Sequence, residues 1–516
     1  MHTDKEYLED RCLTRVHSES AGDYTLPDYN GDVKKILMIR PRVIPSGKFL
    51  GDDSVEFSGV VNYDVIYVDS ENNVTHTDFS TDYDISVRVA AEKYLDSDID
   101  TVISNYNVRL TGPRKFSAKS QLESEVHIGE KSVISVAGDA FESYEPEVSV
   151  ERVRVAAPCF FGTVTKELAE ELVNLEGAIC DEVEVLMCSV TPRIKSLSAT
   201  DGGAEVKGDV AIDLIYKNMD SVEEKVSKVL PFTENVSGED ISLCDNLFGD
   251  VCITLAKTSI SPTEDGVSVM LNSTLETKVR GVKNDTLDIV TDAYLKERGT
   301  ANEYTDFNYT EYICTDTSED NFAARVSLDD LSLEGACEFL HVITLPHTES
   351  CEVLDDSVKI SGEIKFVGIA CEINEDGMPV YNNVKATVPF EHYVNVSCQT
   401  HDNMRAECHV STDNARMEVD GDHLVLLCDL SSRVTLNARK RQRCLGLSNV
   451  TDDEYSSDDS VVTVYYPDSG ESIFSIAKRF HTSVRRIAED NSLSESVFAS
   501  PHAPLVSMGT KKLIIK

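Results

Sequence analysis

The stretch Val55–Val68, VEFSGVVNYDVIYV, decides the fold of this 516-residue chain. Val61, Tyr63, Val65 and Tyr67 recur with a period of two, the mark of a strand with one buried face, and a polar turn follows. The pattern returns twice, as AEVKGDVAIDLIYK (Ala204–Lys217) and VKISGEIKFVGIAC (Val358–Cys371). Val210, Ile212, Leu214 and Tyr216 repeat the buried face closely; Ile364, Phe366, Gly368 and Ala370 repeat it less well. Gly59, Gly208 and Gly362 anchor the three copies, 149 and 154 residues apart.

A second anchor keeps the same register. Each copy continues to an aromatic followed four residues later by valine: Tyr83 and Val87, Phe232 and Val236, Phe390 and Val394. The aromatic stands 24, 24 and 28 residues after its glycine. A period near 150 is domain-sized, so a tandem array of three domains is expected and not a short-repeat solenoid. The expected class is mainly β, with three sandwich-like repeats spanning 1–160, 161–320 and 321–448. The shared glycines read as strand or bulge positions where a side chain would clash. One helix is expected among the strands, TKELAEELVNL (Thr165–Leu175), from the spacing of Leu168, Leu172 and Leu175.

Beyond the third repeat lies a basic patch, Arg439, Lys440, Arg441 and Arg443, and then NVTDDEYSSDDS (Asn449–Ser460). That acidic, serine-rich stretch predicts a flexible linker over 449–460. From Val461 the pattern changes to a small module over 461–516. VVTVYY reads as a strand, GESIFSIAKRF (Gly470–Phe480) as a helix, TSVRRIAEDN as a second helix capped by Ser483, and KKLIIK as a closing strand. In the first helix Ile473, Ile476, Ala477 and Phe480 form the buried stripe, and Phe474 falls on its flank, where a partly exposed ring is expected. In the second, Val484, Ile487 and Ala488 form the stripe.

Composition bounds the function. The chain is 41% hydrophobic, enough for folded domains, and carries 91 acidic against 48 basic residues, net −43. Nucleic acid and anionic membrane surfaces are poor partners for such a chain. The module differs, with seven basic and five acidic residues, so it is locally positive. The N-terminus MHTDKEYLEDRCLTRV lacks an apolar signal region, and no stretch approaches a membrane span, so the chain is expected to stay where it is made. The 14 cysteines form no C-x-x-C pair, which predicts free thiols in a reducing compartment.

The module resembles the lysin motif (LysM) family, with GESIFSIA, Asn491 and GTKKLII at that family's characteristic places and Phe474 where a tryptophan is usual. The repeats resemble the SPOCS domain in their glycine-anchored strands, Gly59–Tyr67, Gly208–Tyr216 and Gly362–Ala370. Each is followed by the aromatic element at Tyr83–Val87, Pro231–Val236 or Pro389–Val394. Together the two resemble the SipL-like family of spore coat morphogenetic proteins. The resemblance implies a non-enzymatic structural and interaction protein, made in the mother-cell cytoplasm and then held at the forespore surface and in the spore coat. Its implied partner is the coat morphogenetic ATPase, stage IV sporulation protein A, docked through LysM, with other coat proteins on the β repeats. The alternative is a LysM that binds peptidoglycan in a cell-wall or cortex-associated protein. The residues expected to meet the partner are Ser472, Ile473, Phe474, Asn491 and Leu493.

No nucleotide-binding loop, zinc-protease helix or serine-hydrolase elbow occurs in the sequence, so neither turnover nor a cofactor is expected. The one cluster with ligand chemistry is Cys398, His401, Cys408 and His409. Adjacent Cys408 and His409 point to opposite faces of a strand, so no metal site is expected there.

Overall fold

The computed structural model describes residues 2–515 except 29, 138–143, 219–222, 239–240, 332–336, 375–378, 456–461, 494–504 and 506–511. The protein is mainly β, and among the described residues eighteen of its twenty strands fall into three units of six. The first unit holds β1 (His2–Thr25), β2 (Val33–Leu50), β3 (Ser54–Asp69), β4 (Val74–Arg88), β5 (Tyr94–Gly112) and β6 (Lys115–Ala137). The second holds β7 (Glu147–Glu176), β8 (Glu184–Thr200), β9 (Gly203–Lys217), β10 (Glu223–Ser237), β11 (Asn246–Pro262) and β12 (Gly266–Tyr294). The third holds β13 (Arg298–Ser327), a helical turn α1 (Leu328–Leu331), β14 (Glu338–Val353), β15 (Ser357–Ile373), β16 (Pro379–Asn395), β17 (Met404–Asp420) and β18 (His423–Glu454).

Topology repeats strand for strand. In each unit the second, third and fourth strands form an antiparallel meander, and the sixth lies between the first and fifth in another sheet. The two sheets close on an apolar core. In the first unit Val61, Tyr63, Val65 and Tyr67 from β3 meet Phe116, Leu122 and Val126 from β6, all fully or almost fully buried. The period-two face of the opening stretch is therefore the inner face of a sandwich.

The two sequence anchors are one structural device. Gly59 lies directly across the ladder from Tyr83, Gly208 from Phe232 and Gly362 from Phe390. Each aromatic ring lies over its glycine. A Cβ on Gly208 would come within 2.6 Å of the Phe232 ring and 2.1 Å of the Arg193 carbonyl oxygen. Only a residue without Cβ admits both the ring and the neighbouring backbone. The longer offset in the third copy is a longer β15–β16 hairpin around the same pairing.

Several expectations change. Thr165–Leu175 is not helical but the second half of β7, paired with β12 along its length. Leu168 and Leu172 share a face at period two as well as at helical spacing. A register shift that leaves Leu172 without a direct partner carries Leu175 to the same core. The boundaries expected at 160/161, 320/321 and 448/449 fall inside β7, β13 and β18. The sheet units instead run over 2–137, 147–294 and 298–454. The expected linker is also displaced: Asn449–Glu454 complete β18, with Val450 opposite Thr300 and Glu454 opposite Arg298, while 456–460 lies outside the described residues. Cys159 and Cys244 form a disulfide, against the expectation of free thiols, which holds for the other twelve cysteines. Cys314 and Cys398 hold the corresponding places in the third unit, with Sγ atoms 2.9 Å apart.

The units also share core. Leu37 and Met38 of β2, Leu186 and Met187 of β8, and Leu340 and Ile343 of β14 meet in one apolar cluster with parts of the adjacent meanders. A second cluster joins Ile134, Val153, Val155, Ile289, Phe307 and Cys444 from the first and sixth strands of the units. Equivalent strands of all three units meet at each place, so the array closes on itself with approximate three-fold symmetry.

His341 of β14 lies at this junction, 5% exposed, and neither ring nitrogen has a hydrogen-bond partner among the described residues. Burial, with Arg40 and Lys225 beside it, pushes it down to about 3, against a weaker pull from Asp213. A depressed histidine contributes stability above its unfolded value near 6.5, and that stability is lost as pH falls toward the folded value. The chain should lose about 2 kcal/mol through this residue between pH 7 and pH 5. Chemical denaturation at the two pH values checks it: His341→Leu should flatten the difference, and an unchanged difference would show that His341 is not the group responsible.

Candidate functional site

The C-terminal module is built from β19 (Thr463–Tyr465), α2 (Ile473–Arg479), α3 (Val484–Asp490) and β20 (Leu513–Ile515). The strand–helix–helix–strand order is the expected one, and β19 pairs antiparallel with β20. Local chemistry fixes both helix starts. Ser472 Oγ accepts from the Ser475 N–H at 3.1 Å while Ser475 Oγ accepts from the Ser472 N–H at 3.0 Å, a reciprocal cap. Ser483 Oγ accepts from the Arg486 N–H at 3.0 Å, as its N-cap reading requires. The turn into α2 passes through Gly470 at φ +102°, a left-handed value that suits glycine.

Each of the five residues expected to meet a partner makes contacts within the chain. Ser472 is the cap and is 5% exposed; Ile473 is 1% exposed. Asn491 closes α3: its Nδ2 donates to the Ile487 and Ile514 carbonyls at 2.8 and 2.7 Å, and its Oδ1 accepts from the Ile514 N–H at 2.6 Å. It thus ties the second helix to the edge of β20. The Leu493 N–H donates to the Ala488 carbonyl at 2.9 Å, and its side chain packs against the module core.

Phe474 is the clearest correction. It is 3% exposed, not a flank residue with an open ring. Its ring meets that of Tyr294 edge to face, centroids 5.3 Å apart. Tyr294 is the last residue of β12 in the second unit, and its hydroxyl donates to the Thr482 carbonyl at 2.7 Å. Helical periodicity finds the face a helix turns to its own module; α2 buries a second face against the β body. Other contacts hold the same junction. Lys478 Nζ lies 2.7 and 2.8 Å from the two Asp292 carboxylate oxygens, and the rings of Tyr455 and His481 stack 3.5 Å apart.

The basic surface is likewise partly neutralised at home. Lys478 pairs with Asp292, Arg479 with Glu471 and Arg485 with Glu489. Among the described residues of the module, the outer side of the small sheet is open. Val462, Val464 and Tyr466 are 56%, 55% and 68% exposed, and Ile514, directly across from Val464, is 37% exposed. Alternation puts the three residues on one face, an apolar strip that the helix-based reading missed.

The cysteine–histidine cluster suggested by the sequence is not assembled. Cys398 sits beside Cys314, and His409 Nδ1 lies 3.1 Å from Asp100. Cys408 turns to the core of the third unit, and His401 is exposed in a turn.

Comparison with known families agrees with this architecture. Residues 32–111 match the model described as SipL, SPOCS domain, and residues 468–501 match the LysM domain. No curated protein and no solved structure matches the chain. The chain is thus similar to SipL-like proteins, with a SPOCS domain toward its N-terminus and a LysM module toward its C-terminus. The matched segment covers β2 to β5, and the second and third units repeat its strand order. Both matched domains are interaction modules, and the pairing is that of a sporulation-related protein. Among the described residues no helix is long and apolar enough to cross a membrane.

Proposed function

We propose that this chain is a non-enzymatic structural protein of spore coat assembly. Its LysM module docks it onto the coat morphogenetic ATPase, stage IV sporulation protein A, in the mother-cell cytoplasm and then at the forespore surface. The observation that carries the reading is the joint occurrence of a SPOCS domain and a LysM module in one chain. The closed β body supports it as a rigid platform that presents the module, since Tyr294 and Asp292 hold α2 in place.

The docking surface is the outer face of β19 and β20, with Tyr466 and Val464 as anchors, because the aromatic of α2 is already used inside the molecule. A large exposed aromatic beside aliphatic neighbours has the makeup of an interface centre. Tyr466→Glu and Val464→Glu should each reduce co-purification with the ATPase by about tenfold or more, as loss of an anchor worth over about 1.4 kcal/mol requires, with an unchanged melting temperature. Undiminished binding in both variants would place the docking surface elsewhere on the chain.

A further inference from the structure

Side chains far apart in sequence converge where the three units meet. Cys12 on β1 and His127 on β6 are direct partners across their ladder. Glu125 lies two residues before His127, on the same face, and Glu407 reaches in from β17 of the third unit. One donor atom from each of the four lies within 4.8 Å of every other.

We propose that Cys12, Glu125, His127 and Glu407 form a site for a divalent transition-metal ion, zinc by preference, that ties the first unit to the third. The dimensions suit it. Zinc bonds of about 2.0–2.3 Å to nitrogen, oxygen and sulfur make a tetrahedron with edges of roughly 3.3–3.6 Å. His127 Nε2 stands 3.0 Å from Glu125 Oε1 and 3.7 Å from Cys12 Sγ, on either side of that range. The donor set selects the metal: a thiolate and an imidazole favour zinc or cobalt over magnesium or calcium. Binding displaces the Cys12 thiol proton to solvent as the sulfur–metal bond forms.

The surroundings orient the ligands. His127 Nδ1 lies 3.3 Å from Asp10 Oδ1, a carboxylate behind the imidazole that favours the Nδ1–H tautomer and turns the Nε2 lone pair toward the other three groups. Arg280 Nη2, 3.1 Å from the same Nε2, competes for that lone pair. A metal ion has to displace this contact and the hydrogen bond between Nε2 and Glu125 Oε1, the proton held there leaving to solvent. Arg280 keeps Nη1 on Asp10 at 3.0 Å and its guanidinium 4.3 Å from the Phe248 ring centroid. Two carboxylates, one thiolate and a divalent cation leave the site at net −1, beside the Arg280–Asp10 ion pair. A cavity of about 530 Å³ lined by Cys12, His127, Arg280 and Glu407 provides the entry path.

Cobalt(II) titration of the chelator-treated full chain, reduced beforehand, tests the assignment. One equivalent should bind with a thiolate-to-cobalt absorption band, and zinc should displace it and raise the melting temperature. Cys12→Ser should abolish the band, and Glu407→Gln, a near-isosteric change at a partly buried position, should weaken binding at least about tenfold. Absence of a thiolate band in the wild-type chain overturns the proposal. So does a band that survives in Cys12→Ser, which would assign the metal to other cysteines.

Discussion

Replacing Phe474 by alanine is expected to cost about 3–5 kcal/mol, the usual penalty for removing a fully buried phenylalanine. The ring belongs to the module core with Ile473, Ile476, Leu505 and Leu513, and it also carries the contact to Tyr294. Its removal therefore loosens both the module and its seat on β12. Hydrogen exchange in the full chain reads the effect directly, through faster exchange at α2 and α3 amides with β9 and β15 unaffected. Tyr294→Ala should open the seat while sparing the helix caps. The two changes should couple, since an edge-to-face pair contributes about 0.5–1.5 kcal/mol beyond its buried area. Unchanged exchange in Phe474→Ala would mean that the ring is dispensable to both.

Asp10→Ala should be equally damaging, about 3–5 kcal/mol, because it leaves a buried charge without its counterion. The Asp10 and Arg280 side chains are 7% and 8% exposed, with Arg280 Nη1 on Asp10 Oδ2 at 3.0 Å. The pair joins β1 of the first unit to β12 of the second, so its loss should weaken the closure of the array as well as one sheet. Urea unfolding measures it as a lower midpoint. The double change Asp10→Leu with Arg280→Met should lose less than Asp10→Ala alone, since an apolar replacement of both partners leaves no orphaned charge. A loss below about 1 kcal/mol in the single variant would show that water, not Asp10, satisfies Arg280.

The sequence made the sandwich interior legible because each inner strand writes its buried face at period two. Gly59, Gly208 and Gly362 were found with their aromatics, although that each pair is a single cross-strand contact emerges only from the ladder. The unit boundaries were less legible. The first strand of each unit pairs with the last, so β7 and β13 belong with strands more than a hundred residues later, and no local pattern records that. Leu168, Leu172 and Leu175 misled because spacings of four and three fit a helix and also fit a strand with a bulge. Phe474 misled for a different reason: periodicity sees one buried face, and α2 has two. Glu407 stands 395 residues from Cys12, so their convergence follows from the closure of three units and from no spacing.

The proposed docking of this chain to the coat ATPase is tested most directly by one binding measurement. Purified full chain is mixed in parallel with stage IV sporulation protein A and with peptidoglycan sacculi, and the bound fraction is measured in each. The account predicts saturable binding to the ATPase, lost in Tyr466→Glu, and no sedimentation with sacculi above background. Sedimentation with sacculi and no association with the ATPase would contradict it and assign the LysM module to glycan.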